Sequence, residues 1–430
     1  MIPNKETLDQ LTDSFSAIQE AFSKYKGMDL KLDMTRGKPA PEQLDLCNEM
    51  LDLQLASDFK AADGTDCRNY GGLDGIAEAK AFFAEYMGTT PAELVIGGNS
   101  SLALMHDTLI NAMLKGVPGS TEPWIKLPEV KFLCPVPGYD RHFAVCEKLG
   151  IKMIPVEMDE NGPDMAKVKE LVASDASIKG IWCVPQYSNP TGVVYSDEVV
   201  KELATMETAA KDFRVMWDNA YAVHYLNDAT IAVANLLDAC KAAGNPDRVF
   251  MYGSTSKISL AGAGIAVIAA SDANIAWFKK QISFQTIGPD KINQLRHLRF
   301  FTDIDGLKSH MEKHADILKP KFDKVLEIFD AELGDSDIAT WSKPDGGYFI
   351  SLDTPEGCAS RVVALAAEAG VKMTAAGATF PYGKDPEDKN IRIAPSLPSL
   401  GDIDTAMKIF CICIKLAVLE KFASKSVASV

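Results

Sequence analysis

The sequence lacks most of the features that mark secreted, membrane-embedded or nucleic-acid-binding proteins. Its first fifteen residues, MIPNKETLDQLTDSF, hold no apolar signal-peptide core, and no run approaches the roughly 20 apolar residues of a membrane span. Acidic residues outnumber basic ones by 59 to 44, the net charge is −15, and no basic stripe is present. These absences predict a cytoplasmic protein without membrane or nucleic-acid partners.

Paired cysteine motifs are missing as well. The nine cysteines include no C-x-x-C pair, and no Cys/His cluster has the spacing of a zinc site. The thiols are therefore predicted to be reduced and buried, and no metal site is expected. Internal repeats are also absent, whereas 47% of the 430 residues are hydrophobic. That is enough for two or three domains, or for one large domain with a satellite.

The middle of the chain alternates between helix-like stretches and short apolar runs. Between about residues 74 and 271 seven such runs occur: ELVIGG, KFLCPVP, IKMIPVEM, IKGIWCVPQ, RVMWDNAY, RVFMYGS and GIAVIAAS. Short β-rich runs with helices between them are typical of a parallel sheet that is covered on both faces. We therefore predict an α/β domain with a seven-stranded, mainly parallel sheet.

Both ends of the chain depart from this alternation. Residues 5–26 have helical periodicity that breaks at Gly27, and long helical stretches at 306–333, 357–370 and 402–424 flank short strands within GGYFISL and NIRIAP. We predict a large domain over residues 61–300 and a smaller α+β domain over 301–430. The N-terminal segment, residues 1–60, is expected to pack on the small domain.

Polar residues follow five of the predicted strands, at the edge where parallel α/β sheets bind ligands. In chain order they are Asn99, Ser100, Ser101, Tyr139, Asn189, Asp218, Tyr221, Ser254, Ser256 and Lys257. Taken singly, each has an ordinary interpretation as a helix cap, a wall residue, a turn or a surface lysine. Taken together, they offer an anion site, a stacking ring, a carboxylate and a nucleophilic amine. That set suits an aromatic cofactor with a phosphate tail.

Three of these strand ends carry the motifs of a known family. SNPTG at 188–192, DNAY at 218–221 and STSK at 254–257 stand in the order and at roughly the spacing of fold-type I pyridoxal-phosphate (PLP) enzymes. From about residue 30 to 425 the chain resembles the class I aminotransferases of that fold. DMTRGKPAPEQLDL and YGGLDG further resemble the divergent type Ic branch of aspartate aminotransferases.

The resemblance implies a PLP cofactor and a set of catalytic residues. Lys257 is expected to form the Schiff base with PLP and to carry the substrate α-proton. Asp218 is expected to pair with the pyridinium nitrogen, with His142 orienting it. Tyr221 and Asn189 are expected to hydrogen-bond the phenolic oxygen.

The resemblance also implies the remaining cofactor and substrate contacts. The phosphate is expected to lie among Asn99, Ser100, Ser101, Ser254 and Ser256. Tyr139 is expected to stack on the ring, and Tyr70, in RNYGG, to reach the phosphate of the other subunit in a homodimer with shared sites. Arg392, in NIRIAP, would fork onto the substrate α-carboxylate. Asn189 would also touch the substrate, and Gly37 would lie in the loop over it.

One position departs from the family pattern. The family has S-K-x-x-x-x-G-x-R after the lysine, and here Gly264 stands where that arginine would bind the phosphate. Either hydroxyls, N–H groups and the partner subunit's Tyr70 suffice, or another cation replaces the arginine. We expect a cation from outside residues 253–271, and the candidates are Arg36, Arg68, Lys291 and Arg296.

The predicted reaction is PLP-dependent transamination between an L-amino acid, with aspartate favoured, and 2-oxoglutarate by a ping-pong route. A dicarboxylate needs a second cation, for which Arg36, Arg68 and Arg141 lie near motif loops. Alanine or another amino acid is the alternative substrate, and a lyase or decarboxylase of the same fold is the alternative reaction. A PLP-sensing regulator is disfavoured because about 30 residues precede DMTRGKP, too few for a winged helix-turn-helix.

Overall fold

The computed structural model describes residues 2–227 and 231–423. Within these ranges the chain forms fourteen α-helices. They are α1 (Lys5–Asp13), α2 (Phe15–Lys26), α3 (Pro41–Asp45), α4 (Ala77–Met87), α5 (Ser101–Lys115), α6 (Asp140–Lys148), α7 (Met165–Ser174), α8 (Asp197–Thr205), α9 (Leu236–Ala242), α10 (Asp272–Ile282), α11 (Lys291–Phe301), α12 (Ile304–Leu333), α13 (Ala359–Glu368) and α14 (Leu400–Val418).

Thirteen β-strands form in the same described ranges. They are β1 (Leu32–Asp33), β2 (Leu94–Ile96), β3 (Lys131–Val136), β4 (Lys152–Asp159), β5 (Gly162–Pro163), β6 (Ile178–Cys183), β7 (Arg214–Asp218), β8 (Val249–Ser254), β9 (Ala266–Ala270), β10 (Thr340–Trp341), β11 (Ile350–Asp353), β12 (Val371–Lys372) and β13 (Asn390–Ile393).

The largest sheet has eight strands in the order β2-β9-β8-β7-β6-β3-β4-β5. Strands β4, β3, β6, β7 and β8 run parallel. Strand β9 runs antiparallel to both of its neighbours, and the two-residue β5 runs antiparallel to β4. All seven predicted strands form, and β5 adds an eighth at the edge. The predicted α/β fold class is confirmed.

Successive residues of the central strands point to opposite faces of this sheet. Val215 and Met251 belong to the core on one face, whereas Met216 and Phe250 belong to the core on the other. Because both faces are buried, these strands are apolar along their length. The polar groups of the site are therefore found where the strands end.

A third core joins the two ends of the chain. Helix α2 packs on α14, β1 pairs in parallel with β12, and β10, β11 and β13 form an antiparallel sheet. The 30-residue helix α12 contributes Leu307 and Met311 to a core of the large sheet, and Leu318 and Phe322 to this third core. The domain boundaries at residues 60 and 300 stay a prediction.

Two helices differ from the sequence prediction. The periodicity over residues 5–26 predicts one helix, but α1 ends at Asp13 and α2 begins at Phe15. Ser14, with φ −90° and ψ 0°, ends α1 by donating its N–H to the carbonyl of Gln10. The last helix begins at Leu400 and becomes π-helical over Leu419–Ala423. Residue 424 of the predicted helix lies outside the described residues.

The nine cysteines are free and buried, as the sequence predicts. Over residues 2–227 and 231–423, no helix is long and apolar enough to cross a membrane. In the same described ranges no group of His, Cys, Asp or Glu is arranged to hold a metal ion.

Candidate active site

A cavity of about 190 Å³ lies at the carboxyl ends of β3, β6, β7 and β8. Nine of the residues that the sequence singles out line it: Ser100, Ser101, Tyr139, Asn189, Asp218, Tyr221, Ser254, Ser256 and Lys257. Leu102, Met105, Val184 and Ala220 complete the wall. Parallel strands bring their carboxyl ends to one edge of a sheet, and that edge is where the chain gathers these groups.

Asp218 is buried at the end of β7. His142 donates from Nε2 to Asp218 Oδ2 over 2.9 Å, and the His142 ring stacks on Trp182 with 4.2 Å between ring centres. The other oxygen, Asp218 Oδ1, is buried and has no hydrogen-bond partner among the described residues. A buried carboxylate oxygen is costly without a donor. This atom therefore fits the N–H of a protonated ring nitrogen held in the cavity.

Lys257 follows β8, and its amine lies against aromatic rings. Nζ is 4.9 Å from the centre of the Tyr221 ring and 5.9 Å from that of Tyr348. Burial lowers the pKa of the Lys257 amine, and the charge of Asp218 opposes this shift. Burial raises the pKa of Tyr221 well above its usual value, so the hydroxyl stays protonated. The cavity thus holds an amine biased towards its neutral, nucleophilic form beside a hydroxyl donor.

The serines gather at the N-terminus of α5. Ser100 caps this helix by accepting a hydrogen bond from Ala103 N at 3.3 Å, and Ser256 Oγ donates to Asn99 O at 3.1 Å. The Asn99 side chain donates to the carbonyl of Gly262 at 3.0 Å, so this residue closes the loop and does not line the cavity. Hydroxyls and the free N–H groups of a first helical turn make this end of the cavity fit an anion.

Gly264 packs closely against the turn that carries Lys257. A Cβ there would lie 3.0 Å from Thr255 Oγ1 and 3.2 Å from Ser256 N. Glycine therefore allows the backbone at residue 264 to approach the turn that carries Lys257. Among the described residues no arginine lines the cavity, and Lys257 is its one cation.

The four candidate replacements for the missing arginine lie elsewhere. Arg68 and Arg36 lie 2.7 and 3.8 Å from aspartates of their own loops. Lys291 donates to two backbone carbonyls of loop 69–71, and Arg296 lines a separate cavity. A further cation near the cofactor phosphate stays a prediction, and it would have to come from a partner chain.

Arg392 projects from β13 and is held by one nitrogen. Its Nη1 donates to Asp140 Oδ1 at 2.8 Å and to Asn189 Oδ1 at 3.3 Å. The guanidinium lies over the Phe349 ring, 4.9 Å from its centre, while Nε is buried without a partner among the described residues. The edge that carries Nε therefore fits a carboxylate. Gly37 packs against Phe349, since a Cβ there would lie 2.1 Å from the ring.

Tyr70 is 84% exposed and does not line the cavity of its own chain. Lys291 fixes the loop that carries it, by donating to the carbonyls of residues 69 and 71 at 2.7 and 2.6 Å. Phe284 and Ile287, just before Lys291, are 85% and 63% exposed. The loops that carry these three exposed side chains adjoin, since a Cβ at Gly288 would lie 2.6 Å from the Gly71 carbonyl oxygen, and we call the three residues the Tyr70 patch.

The structure adds three residues that the sequence reasoning missed. Asp140 binds Arg392, Trp182 supports His142, and Phe349 lies under the Arg392 guanidinium. Asp140 comes directly after Tyr139 at the end of a strand. It could therefore have been found from the sequence, because ligands bind at the carboxyl ends of parallel strands. Trp182 and Phe349 are apolar residues within or beside strands, and only the tertiary packing assigns them to the site.

The chain matches the sequence model of a family described as aspartate amino-transferase over residues 6–426. This chain belongs to that family. A Corynebacterium glutamicum aspartate aminotransferase is 49% identical over 95% of this chain and 94% of its own. A Mycolicibacterium smegmatis relative is 52% identical over 96% of this chain and 97% of its own. The predicted resemblance is confirmed, and the chain is an aminotransferase of the PLP fold-type I class.

Solved structures agree with this assignment. The crystal structure of a C. glutamicum aspartate transaminase has a TM-score of 0.94 and 48% identity, covering 96% of this chain and 97% of its own. The α-aminoadipate aminotransferase LysN from Thermus thermophilus, complexed with N-(5'-phosphopyridoxyl)-L-leucine, has a TM-score of 0.74 at 21% identity over 95% of this chain and 98% of its own. The second likeness shows the shared fold.

Proposed function

We propose that this chain is a PLP-dependent aspartate aminotransferase that passes the amino group of L-aspartate to 2-oxoglutarate by a ping-pong route. The observation that carries the proposal is the unpartnered Asp218 Oδ1, which belongs to the same cavity as the Lys257 amine. A carboxylate for a ring nitrogen and an amine for an aldehyde are what PLP requires. The 49% identical relative named aspartate aminotransferase supports the choice of substrate.

Bound PLP supplies a protonated ring that accepts the electrons of the bond broken at the substrate α-carbon. Asp218, fixed by His142, holds the ring nitrogen protonated. Tyr221 would donate its hydroxyl to the phenolic oxygen of the cofactor. Asn189 would donate from its amide nitrogen to the same oxygen, since its Oδ1 accepts from Arg392. Lys257 anchors the cofactor and then moves the α-proton as base and acid.

The substrate is held by its carboxylates. Arg392 receives the α-carboxylate on the edge that carries Nε, because Nη1 is bound to Asp140 and Asn189. The distal carboxylate needs a second cation. Arg68 is not available for it, because its guanidinium already donates two hydrogen bonds to Asp66. Arg36 and Arg141 are then the two candidates among the three arginines that the sequence offers.

The enzyme is proposed to work as a homodimer whose active sites are shared. The Tyr70 patch supports this, because monomeric proteins seldom expose large aromatic and aliphatic side chains together. No arginine among the described residues of the same chain lines the phosphate end of the cavity, so a group from the partner subunit would complete it. Tyr70 is the residue proposed to do so.

A half-reaction screen of the purified holoenzyme tests this function. Each amino acid is added alone, and the absorbance of lysine-bound PLP is followed as it converts to the pyridoxamine form. Aspartate is expected to convert the enzyme faster than alanine or an aromatic amino acid, and 2-oxoglutarate to restore the first spectrum. Faster conversion by alanine would remove the assignment of aspartate. Release of carbon dioxide or ammonia without a pyridoxamine form would identify a decarboxylase or lyase instead.

A further inference from the structure

Five of the six histidines in the chain are buried. Four of them surround residues 255–259, the turn that carries Lys257: His224, His297, His310 and His314. The described cavity wall includes none of the four. They therefore contact the turn from outside the cavity, through the backbone and side chains of the residues that hold Lys257.

Hydrogen bonds fix the direction of one chain of these groups. Ala40 N donates to Gln43 Oε1 at 3.0 Å, so the amide nitrogen of Gln43 is the atom that faces His314 Nδ1 at 2.9 Å. An amide nitrogen only donates, so neutral His314 accepts at Nδ1 and carries its proton on Nε2. His314 Nε2–H therefore faces both His310 Nε2, at 3.0 Å, and the carbonyl oxygen of Ile258, and His310 Nε2 lies 2.8 Å from the same oxygen.

A second branch leaves the same glutamine. Gln43 Nε2 donates to the Tyr348 oxygen at 3.0 Å, and the Tyr348 hydroxyl donates to the carbonyl of Lys257 at 3.4 Å. Cys47, just beyond the end of α3, places its thiol 3.7 Å from the carbonyl oxygen of Ile258. The carbonyl groups of Lys257 and Ile258 are thus both linked through hydrogen bonds to side chains of residues 40–47.

The same N-terminal stretch reaches the substrate side of the site. Gly37 packs against Phe349, the ring under the Arg392 guanidinium. The backbone of residue 34 accepts a hydrogen bond from residue 394, just after β13. Residues 34–43 therefore touch the support of Arg392 at one end and the support of Lys257 at the other.

We propose that Gln43, His314 and His310 form a relay that positions Lys257 according to where residues 34–43 lie. The proposal rests on the proposed function, in which Arg392 holds the substrate whose α-proton Lys257 removes. A segment that contacts the residues supporting Arg392 and those supporting Lys257 keeps these two side chains at a fixed distance from each other. Gln43, His314 and His310 are positioning residues in this scheme, because they act through the backbone at residues 257 and 258.

Neutral imidazoles suit this place. Burial lowers the pKa of His310 and lowers that of His314 to about 3, so both rings are uncharged at neutral pH. An uncharged ring can hold the carbonyl of Ile258 without adding a positive charge near the Lys257 amine. A lysine or arginine in the same place would add that charge.

The test measures the Lys257 amine itself, in the full-length chain before PLP is added. Competitive acetylation with acetic anhydride at pH 8, read by mass spectrometry, reports the neutral fraction of each lysine. Gln43→Met removes the first donor of the relay, and His310→Leu removes its last polar ring. Both are expected to lower Lys257 acetylation about threefold, or about half a pKa unit, because water reaches the amine. His310→Gln offers an amide nitrogen in place of Nε2 and is expected to stay near wild type.

Two further variants keep the result interpretable. Tyr348→Phe removes a single hydroxyl from the second branch, and it is expected to lower acetylation less than Gln43→Met does. Leu318→Ala opens a cavity on the same helix, α12, and is expected to lower the melting temperature while leaving Lys257 acetylation unchanged. With PLP bound, the relay variants are expected to lower kcat for aspartate and to leave KM unchanged.

Wild-type acetylation in folded Gln43→Met, His310→Leu and Tyr348→Phe would overturn the relay. Equal losses in Leu318→Ala would do the same, because they would trace the effect to general loosening. Failure of the proposed function is a separate result. A chain that binds no PLP would fail the half-reaction screen, whereas the acetylation pattern would still report whether the relay acts on Lys257.

Discussion

The two carboxylate oxygens of Asp218 lie in different surroundings, and only one of them is available to bind a ligand. Oδ2 is bound by His142, whose ring is fixed by stacking on Trp182, while Oδ1 is buried without a partner. The first oxygen fixes the orientation of the carboxylate, and the second is left to bind a ligand. A buried acid that served only the structure would be expected to have both oxygens satisfied.

Asp218→Asn is expected to keep PLP bound and to slow its conversion by aspartate at least about 100-fold, about 2.7 kcal/mol of barrier. The amide cannot hold the pyridinium proton, so the ring loses its capacity to accept electrons. Stopped-flow absorbance of the half-reaction measures this. Asp212→Asn, which disrupts the buried pair with Lys179, is the control and should lower stability alone. If Asp218→Asn reacts as fast as wild type, Asp218 is a structural residue.

Asp140→Asn is expected to lower the KM for aspartate about two- to fivefold, the range of a partly exposed ion pair. The Asp140 carboxylate binds Arg392 Nη1 at 2.8 Å and offsets part of the charge that the substrate needs. Asparagine keeps an oxygen acceptor for Nη1 but carries no charge. Steady-state kinetics with aspartate measures the change. Asp140→Ala loses the acceptor too and should raise KM, and a higher KM in Asp140→Asn would show that the charge itself orients the arginine.

Sequence reasoning found the residues at strand ends and missed those that act through them. Lys257, Asp218 and Asn189 are polar groups directly after apolar strands, so the rule for parallel sheets identifies them. His310 and His314 lie on α12, far along the chain from the turn they bind, and no local pattern marks them. Their role depends on how α12 and residues 40–47 meet, which is a property of the tertiary structure.

At the scale of elements, the N-terminal segment and the antiparallel sheet β10-β11-β13 determine how Arg392 is supported. The segment passes so close to Phe349 that residue 37 has no room for a side chain. Strand β13 carries Arg392 itself. The position of the guanidinium is therefore the product of two elements that are distant in the sequence.

Gly37→Ala is expected to raise the KM for aspartate on the order of tenfold, because small displacements of a positioning group cost that much or more. The added Cβ would lie 2.1 Å from the Phe349 ring, so the ring under Arg392 must move. Steady-state kinetics and a melting temperature near wild type measure the effect.

Two further variants check the cause. Gly27→Ala has neighbours at 3.5 Å and should leave KM unchanged. Phe349→Leu in the Gly37→Ala background makes room for the methyl group and should restore part of the affinity, as expected for residues in contact. A KM that stays at wild type in Gly37→Ala would show that Phe349 does not support the substrate arginine.

The central strands of the large sheet were predictable because strands buried on both faces are apolar along their length. The interruption at Ser14 was not predictable in the same way, because the periodicity continues across it while the backbone turns to lay α2 on α14. The two-residue strands β1, β5, β10 and β12 are too short to carry a pattern. Strands β5 and β10 pair with the longer β4 and β11, whereas in the described residues β1 and β12 pair only with each other.

At the scale of the whole molecule, the Tyr70 patch predicts a homodimer that can be tested by mixing two defective chains. Lys257→Ala chains keep Tyr70 but lack the amine, and Tyr70→Ser chains keep the amine. In a mixed dimer one site then has both an intact Lys257 and the partner subunit's Tyr70. Random mixing should restore about a quarter of wild-type activity. No gain over the separate variants would show that Tyr70 serves its own chain or none.

Helices α1 and α2 pack against α14 and the π-helical turn that follows it, although α2 ends at Lys26 and α14 begins at Leu400. Ribosomes add about 5–20 residues per second, so the first two helices emerge tens of seconds before the surface that covers them exists. The sheet of residues 94–270 is complete earlier and can fold in that interval. During synthesis the apolar sides of α1 and α2 are therefore covered last, after all strands of the large sheet have been made.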